Sequence, residues 1–184
     1  MSTQPVDAAL EALRYPIGRF KRPETVTLVD RESAIGALAE LPENLRHALE
    51  DLDETQLNTP YREGGWTVRA LTHHIADSHM EAFARIRLAL TEDAPTIKPY
   101  NEDAWSALHD SQAAPVAWSV QLLEGLHARW VMLLQGLNDA QWQRTFVHPE
   151  RPHPWSVETA ALIYAWHSKH HVAHITHLRE RNGW

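Results

Sequence analysis

The stretch YAWHSKHHVAHITHL, residues 164–178, sets five histidines within eleven positions of a chain of 184 residues that contains no cysteine. Imidazole is the side chain best suited to bind a metal or carry a proton near neutral pH. On an α-helix each residue advances by about 100°, so His167 and His171 fall about 40° apart on one face, one turn apart along the axis. This i, i+4 spacing lets one helix offer two imidazoles to one metal, the logic also of the HExxH motif. His170 and His174 share the spacing and form a rival pair. Periodicity favours the first: Tyr164, His167, His171, His174 and Leu178 step by three, four, three and four, the seam that faces a bundle interior, with His170 at its edge.

A catalytic metal usually takes three protein ligands and keeps an open position. The segment LTHHIADSHM, residues 71–80, supplies a third: His74 lies three residues after Leu71 and three before Asp77, whereas His73 points about 100° away. The site expected from spacing is therefore His74, His167 and His171, with His170 and His174 behind the ligands, orienting them, and Asp77 either behind them too or on the helix surface. The plainer reading is that each histidine is a hydrogen-bonded core residue, or that the cluster decorates a solvated face.

Three neutral imidazoles leave a divalent cation its full charge, so a bound water or thiol is acidified. Nitrogen ligands suit zinc, nickel, copper and iron alike, and spacing does not choose among them. Between the paired histidines stand Ser168, Lys169 and His170, so the Glu that serves as base in HExxH has no counterpart. A thiol, with a free pKa near 8.5, needs little more than a cation to become a nucleophile. A chain without cysteine also has no thiol of its own for an electrophile to modify. Arg62 and Lys98 are candidates for binding an anionic substrate, with solubilising surface charge as their plainer role, and Trp66 and Trp166 are candidates to line the pocket.

Four helices are needed to hold these residues. Ile35, Leu38, Leu41, Leu45, Leu49 and Leu52 step by three or four and predict a helix over 30–52, kinked at Pro42. A second starts at the N-cap Thr67, with Trp66 and Leu71 as a hydrophobic staple, and runs to about Glu92 along Leu71, Ile75, Ala82, Ile86 and Leu90. A third spans 115–137, with Pro115 in its first turn and Leu122, Leu126, Trp130, Leu133 and Leu137 as its stripe. The fourth begins at the N-cap Ser156 and ends at Gly183, which suits a left-handed C′ position. No segment alternates with period two. The expected fold is all-α: one four-helix bundle domain over 1–184 with long inter-helix loops, the loop 100–114 carrying a short helix around Trp105.

The net charge of −7, with its basic residues scattered, argues against nucleic-acid or anionic-membrane partners and leaves small molecules. No apolar run approaches the roughly 18 residues of a membrane span, and the N-terminus has no basic segment followed by an apolar core. A soluble cytoplasmic protein is expected. The eight tryptophans suggest core, or apolar surface for a homodimer.

YPIGRF at 15–20, TPYREGGWTVRALTHHIADSHM at 59–80, LALTEDAPTIKPYNEDAW at 88–105, LHARWVMLL at 126–134 and YAWHSKHHVAHITHLRERNGW at 164–184 resemble the YfiT branch of the DinB-like four-helix bundle proteins. The resemblance spans nearly the whole chain; HPE at 148–150 fits it, and Lys169 is a small departure. It implies metal ligation by His74, His167 and His171, association in pairs, and either a metal-dependent hydrolase or an S-transferase that uses a low-molecular-weight thiol such as bacillithiol on an electrophile. A metal-binding stress-response bundle without catalysis is a third reading.

Overall fold

The computed structural model describes residues 8–184; residues 1–7, part of the segment in which no leader was expected, lie outside the described residues. Three of the four long helices begin at a side chain that satisfies an otherwise unpaired N–H of the first turn. Thr27 and Asp30 form a capping box at the start of α2 (Leu28–Leu49), in which Asp30 accepts the Thr27 N–H at 2.8 Å. Thr67 accepts the Ala70 N–H at 3.1 Å ahead of α4 (Val68–Thr91), and Ser156 accepts that of Thr159 at 3.0 Å ahead of α9 (Val157–Asn182). Gly183 closes α9 at φ 69°, the left-handed conformation that only glycine adopts without strain. The helix α7 (Val116–Gln135) starts after Pro115, whose missing N–H costs nothing there.

The short helix α1 (Ala8–Arg14) precedes them, and α3 (Glu54–Leu57), α5 (Glu102–Ser106), α6 (His109–Ala113) and α8 (Asp139–Trp142) lie in the connections between them. The helix expected around Trp105 is α5. One feature was not anticipated: β1 (Thr145–Phe146) pairs antiparallel with β2 (Trp155–Ser156), closing the 147–154 loop directly before α9.

The four long helices form a bundle in which α2 packs on α7 and α9, and α4 packs on the same two. Around the bundle the order is therefore α2, α7, α4, α9, with the successive pairs α2/α4 and α7/α9 on the diagonals. The histidine helices α4 and α9 are neighbours, which is what the site requires. Leu38, Ile86, Trp130, Leu134 and Phe146 fill one part of the core, and Leu41, Leu45, Leu71, Ile75, Leu123 and Ile175 the other.

Three expectations are corrected. The buried seam of α7 is Ser119 and Val120, then Leu123, His127, Trp130 and Leu134; of the expected stripe Trp130 lies in it, Leu126, Leu133 and Leu137 are half-buried beside it, and Leu122 is 44 % exposed. Leucines occupy both registers of α7, so apolar count did not single out the inner one. The tryptophans supply little surface: Trp130 and Trp142 are buried, five others are half-buried, and only Trp118 is exposed. Helix α2 starts two residues and ends three residues before the expected bounds, with the buried Pro42 inside it. Among the described residues no helix is long and apolar enough to cross a membrane.

Candidate metal centre

His167 and His171 lie one turn apart on α9, and His74 reaches them from α4, with ring centroids 5.5 and 5.1 Å away. One nitrogen from each of the three rings lies within 4.8 Å of the other two. The three rings, from two helices, thus converge on one point. His73 is turned away: its Nε2–H donates to the Ala114 carbonyl at 3.1 Å and its Nδ1 accepts from the Ser119 hydroxyl at 2.7 Å, the bonding of a structural core histidine.

The two helix-α9 imidazoles are held from behind. His167 Nδ1 lies 3.1 Å from Nε2 of His79, and His171 Nδ1 lies 3.3 Å from Nδ1 of His174. That leaves His167 Nε2 and His171 Nε2 facing each other at 3.0 Å. Burial and the neighbouring imidazoles hold the pKa of His79, His167 and His171 well below the ordinary histidine range, and burial lowers His74 to about 4. At neutral pH the site is three uncharged imidazoles with their nitrogens turned inward and no carboxylate among them. This donor set fits a divalent cation of nitrogen preference.

The rival group, His170, His171 and His174, also converges, but His171 and His174 bond to one another and His174 Nε2–H donates to the Arg14 carbonyl at 3.2 Å. His174 therefore backs a ligand. His170 stacks on Trp166, with centroids 4.3 Å apart at 18°, and its buried Nδ1 has no partner among the described residues.

The triad opens into a cavity of about 610 Å³. Trp66 packs over His74 at 4.4 Å and donates from Nε1 to Asp103 at 3.2 Å, while Trp166 donates to the Gly18 carbonyl at 3.2 Å; both line the cavity as expected. Arg62 lines it too, its Nε buried without a partner, together with Arg14 and Arg151. None of these three guanidiniums makes an ion pair among the described residues. Glu102 and Asp103 are the cavity's carboxylates.

Two site expectations are corrected. Lys98 is exposed in the loop after α4 and does not line the cavity. Asp77 hydrogen-bonds none of the histidines among the described residues; burial, with Asp110 and Glu81 nearby, raises its pKa to about 6. It sits three residues beyond His74 but on a flank facing other carboxylates.

The residues missed are instructive. His79 occupies the gap in the α4 stripe between Ile75 and Ala82, and His127 sits in the true α7 seam; both are buried, and their rings bond at 3.0 Å. Seam position was a usable signal for His79. The cavity arginines Arg14 and Arg151 come from separate loops and helices, and nothing in local spacing joins them to the site.

The family model for the DinB superfamily matches residues 37–175. YfiT of Bacillus subtilis (strain 168), named as a candidate metal-dependent hydrolase, is 48 % identical over 172 residues, covering 94 % of this chain and 97 % of that protein. A similarly named protein of Bacillus mycoides (strain KBAB4) is 49 % identical over 175 residues, 95 % of this chain and all of that one. The solved structure of YfiT from Bacillus subtilis, described as having an unusual four-helix bundle topology, superimposes with a TM-score of 0.91 at 47 % identity, covering 94 % and 99 % of the two chains.

Proposed function

Since the chain belongs to the DinB superfamily, we propose that it is a divalent-metal-dependent S-transferase. It joins a low-molecular-weight thiol of the bacillithiol kind to electrophilic small molecules in the cytoplasm. The observation that carries this reading is the meeting, in one cavity, of a three-imidazole centre and three arginines that make no ion pair among the described residues. His74, His167 and His171 would hold one zinc or nickel ion. Such an ion, when bound, acidifies a coordinated thiol or water.

The chain's own residues supply the rest. Arg14, Arg62 and Arg151 offer planar guanidiniums matched to carboxylate groups, so an anionic thiol is drawn in and oriented. Trp66 and Trp166 wall the cavity with apolar surface for the electrophile. The histidines are kept uncharged by burial, so they compete with neither arginine nor cation for the anion. The thiol sulfur bonds to the electrophilic carbon, the leaving group departs with its electron pair, and the thiol proton passes to solvent. A homodimer would find apolar area on the outer face of α7, where Trp118, Leu122 and Met132 are exposed.

The test is thiol consumption with a chlorinated or epoxide substrate, using protein loaded with zinc or nickel. Metal-dependent turnover above background is expected, and none with any thiol would sink the reading. Hydrolysis is the second reading. It is favoured by the carboxylates of Glu102 and Asp103 on the cavity wall, which could take a proton from water, and by the names of the relatives. It requires turnover of an ester or amide without thiol.

A further inference from the structure

Pro42 stands in the middle of α2, where its ring removes the N–H that would bond the carbonyl four residues earlier. That carbonyl belongs to Leu38, which is fully buried. Deprived of its helical donor, Leu38 O is met at 2.6 Å by Nδ1 of His127, from α7. A carbonyl can only accept, so His127 carries its proton on Nδ1. Burial lowers its pKa to about 4, so the ring is neutral and its Nε2 is an acceptor.

The proton positions are then set inward, ring by ring. His127 Nε2 lies 3.0 Å from His79 Nδ1, which must donate; His79 Nε2 is then an acceptor. It lies 3.1 Å from His167 Nδ1, which must donate in turn. His167 is left with its lone pair on Nε2, the atom that faces His171. Every step is fixed by the carbonyl at the far end.

We infer that His79 and His127 are positioning residues: with Leu38 O, freed by Pro42, they form a buried relay that locks His167 in the Nδ1–H tautomer and presents its Nε2 to the metal. The relay rests on the reading of His74, His167 and His171 as a metal site. A ligating histidine whose other nitrogen donates to a fixed acceptor is the usual arrangement in metalloproteins. Here the acceptor is a second imidazole, and the anchor is a backbone carbonyl two rings away on a third helix. Without His127, His79 loses the acceptor for its Nδ1–H and is free to turn over to the Nε2–H tautomer, which would donate to His167 Nδ1 and drive the His167 proton onto Nε2.

The experiment combines a spectrum with a titration. In zinc-loaded wild-type protein carrying ring-¹⁵N histidine, His127 and His79 are both expected as Nδ1–H tautomers. Zinc affinity, measured by competition with a chelator, is expected to fall about 10–100-fold in H127F, the loss usual for such supporting groups. It should return to within about threefold of wild type in H127Q, whose amide can donate to Leu38 O and accept from His79. A merely structural His127 would lower melting temperature and leave tautomer and affinity alone. Unchanged affinity in a folded H127F, or an Nε2–H His79 in the wild-type protein, overturns the relay. If H127F does not fold, the wild-type spectrum decides. A wild-type chain that takes up no divalent metal overturns both this inference and the functional reading; uptake with an insensitive H127F overturns the relay alone.

Discussion

His167 and His171 turn their Nε2 atoms toward each other across 3.0 Å, while the Nδ1 atom of each ring is engaged by a further buried imidazole. Two acceptor lone pairs at that distance repel unless a cation lies where both can reach it. Untagged protein should therefore contain about one divalent metal per chain by elemental analysis, and H74A, H167A and H171A should each lose it. Zinc at a hundred times its Kd should stabilise the wild type by about 2.7 kcal/mol. For a domain of this size that is about 5–10 °C in melting temperature. Equal stabilisation of the alanine variants would place the metal elsewhere.

The metal-free protein should be acid-labile. Burial lowers His127 and His74 to about 4, whereas an unfolded histidine titrates near 6.5. Between those values the unfolded chain binds more protons, so stability rises with pH across the window and is lost as pH falls from about 6.5 toward 4. Each pKa unit of separation is worth about 1.4 kcal/mol per group. Urea midpoints measured in chelator should fall steadily from pH 7 to pH 4.5, and H127Q should flatten the slope. A flat profile would mean that these rings are not held neutral.

Asp77 has the opposite sign. Its pKa is raised to about 6, chiefly by burial and then by Asp110 and Glu81, so its contribution to stability is present below the unfolded value near 3.9 and lost as pH rises through 6. Asp77→Asn should raise the melting temperature at pH 7.5 and change it little at pH 4. Because Asp77 bonds none of the histidines, zinc affinity should stay within about twofold. A tenfold loss of affinity would restore Asp77 to the support of the ligands.

The helices were legible because their ends carry local chemistry: Thr67, Ser156 and Gly183 cap where the residue types say they should. The i, i+4 pair of His167 and His171 was legible for the same reason, since both residues sit on one helix. What joins different elements was not. The inner register of α7 depended on which face meets α2 and α4, and His127 lay on the face not chosen. What becomes of the Leu38 carbonyl that Pro42 frees was not legible either, because its donor arrives from α7, 89 positions after Leu38. Lys98 was drawn in by its charge and Asp77 by its place three residues after His74; Lys98 does not line the cavity, and Asp77 bonds none of the histidines among the described residues.

Arg62 tests the substrate side of the proposal. It lies in a tight turn in which Gly64 has φ 63°, and a Cβ at Gly65 would come within 2.8 Å of the Arg62 Cγ. Its guanidinium donates to the Glu63 carbonyl at 2.8 Å and keeps a buried Nε without a partner among the described residues. A hydrogen bond from that charge to a carboxylate on the thiol is worth about 1.5–3 kcal/mol. R62A should therefore raise KM for an anionic thiol about 10–100-fold, with kcat and the KM of the electrophile changed less than about threefold, the signature of lost uniform binding. R62K should recover only part of the loss, because an ammonium does not reproduce the guanidinium fork. G65A should act in the same direction by displacing Arg62. An equal loss with an uncharged thiol would show that Arg62 shapes the loop and does not recognise the anion.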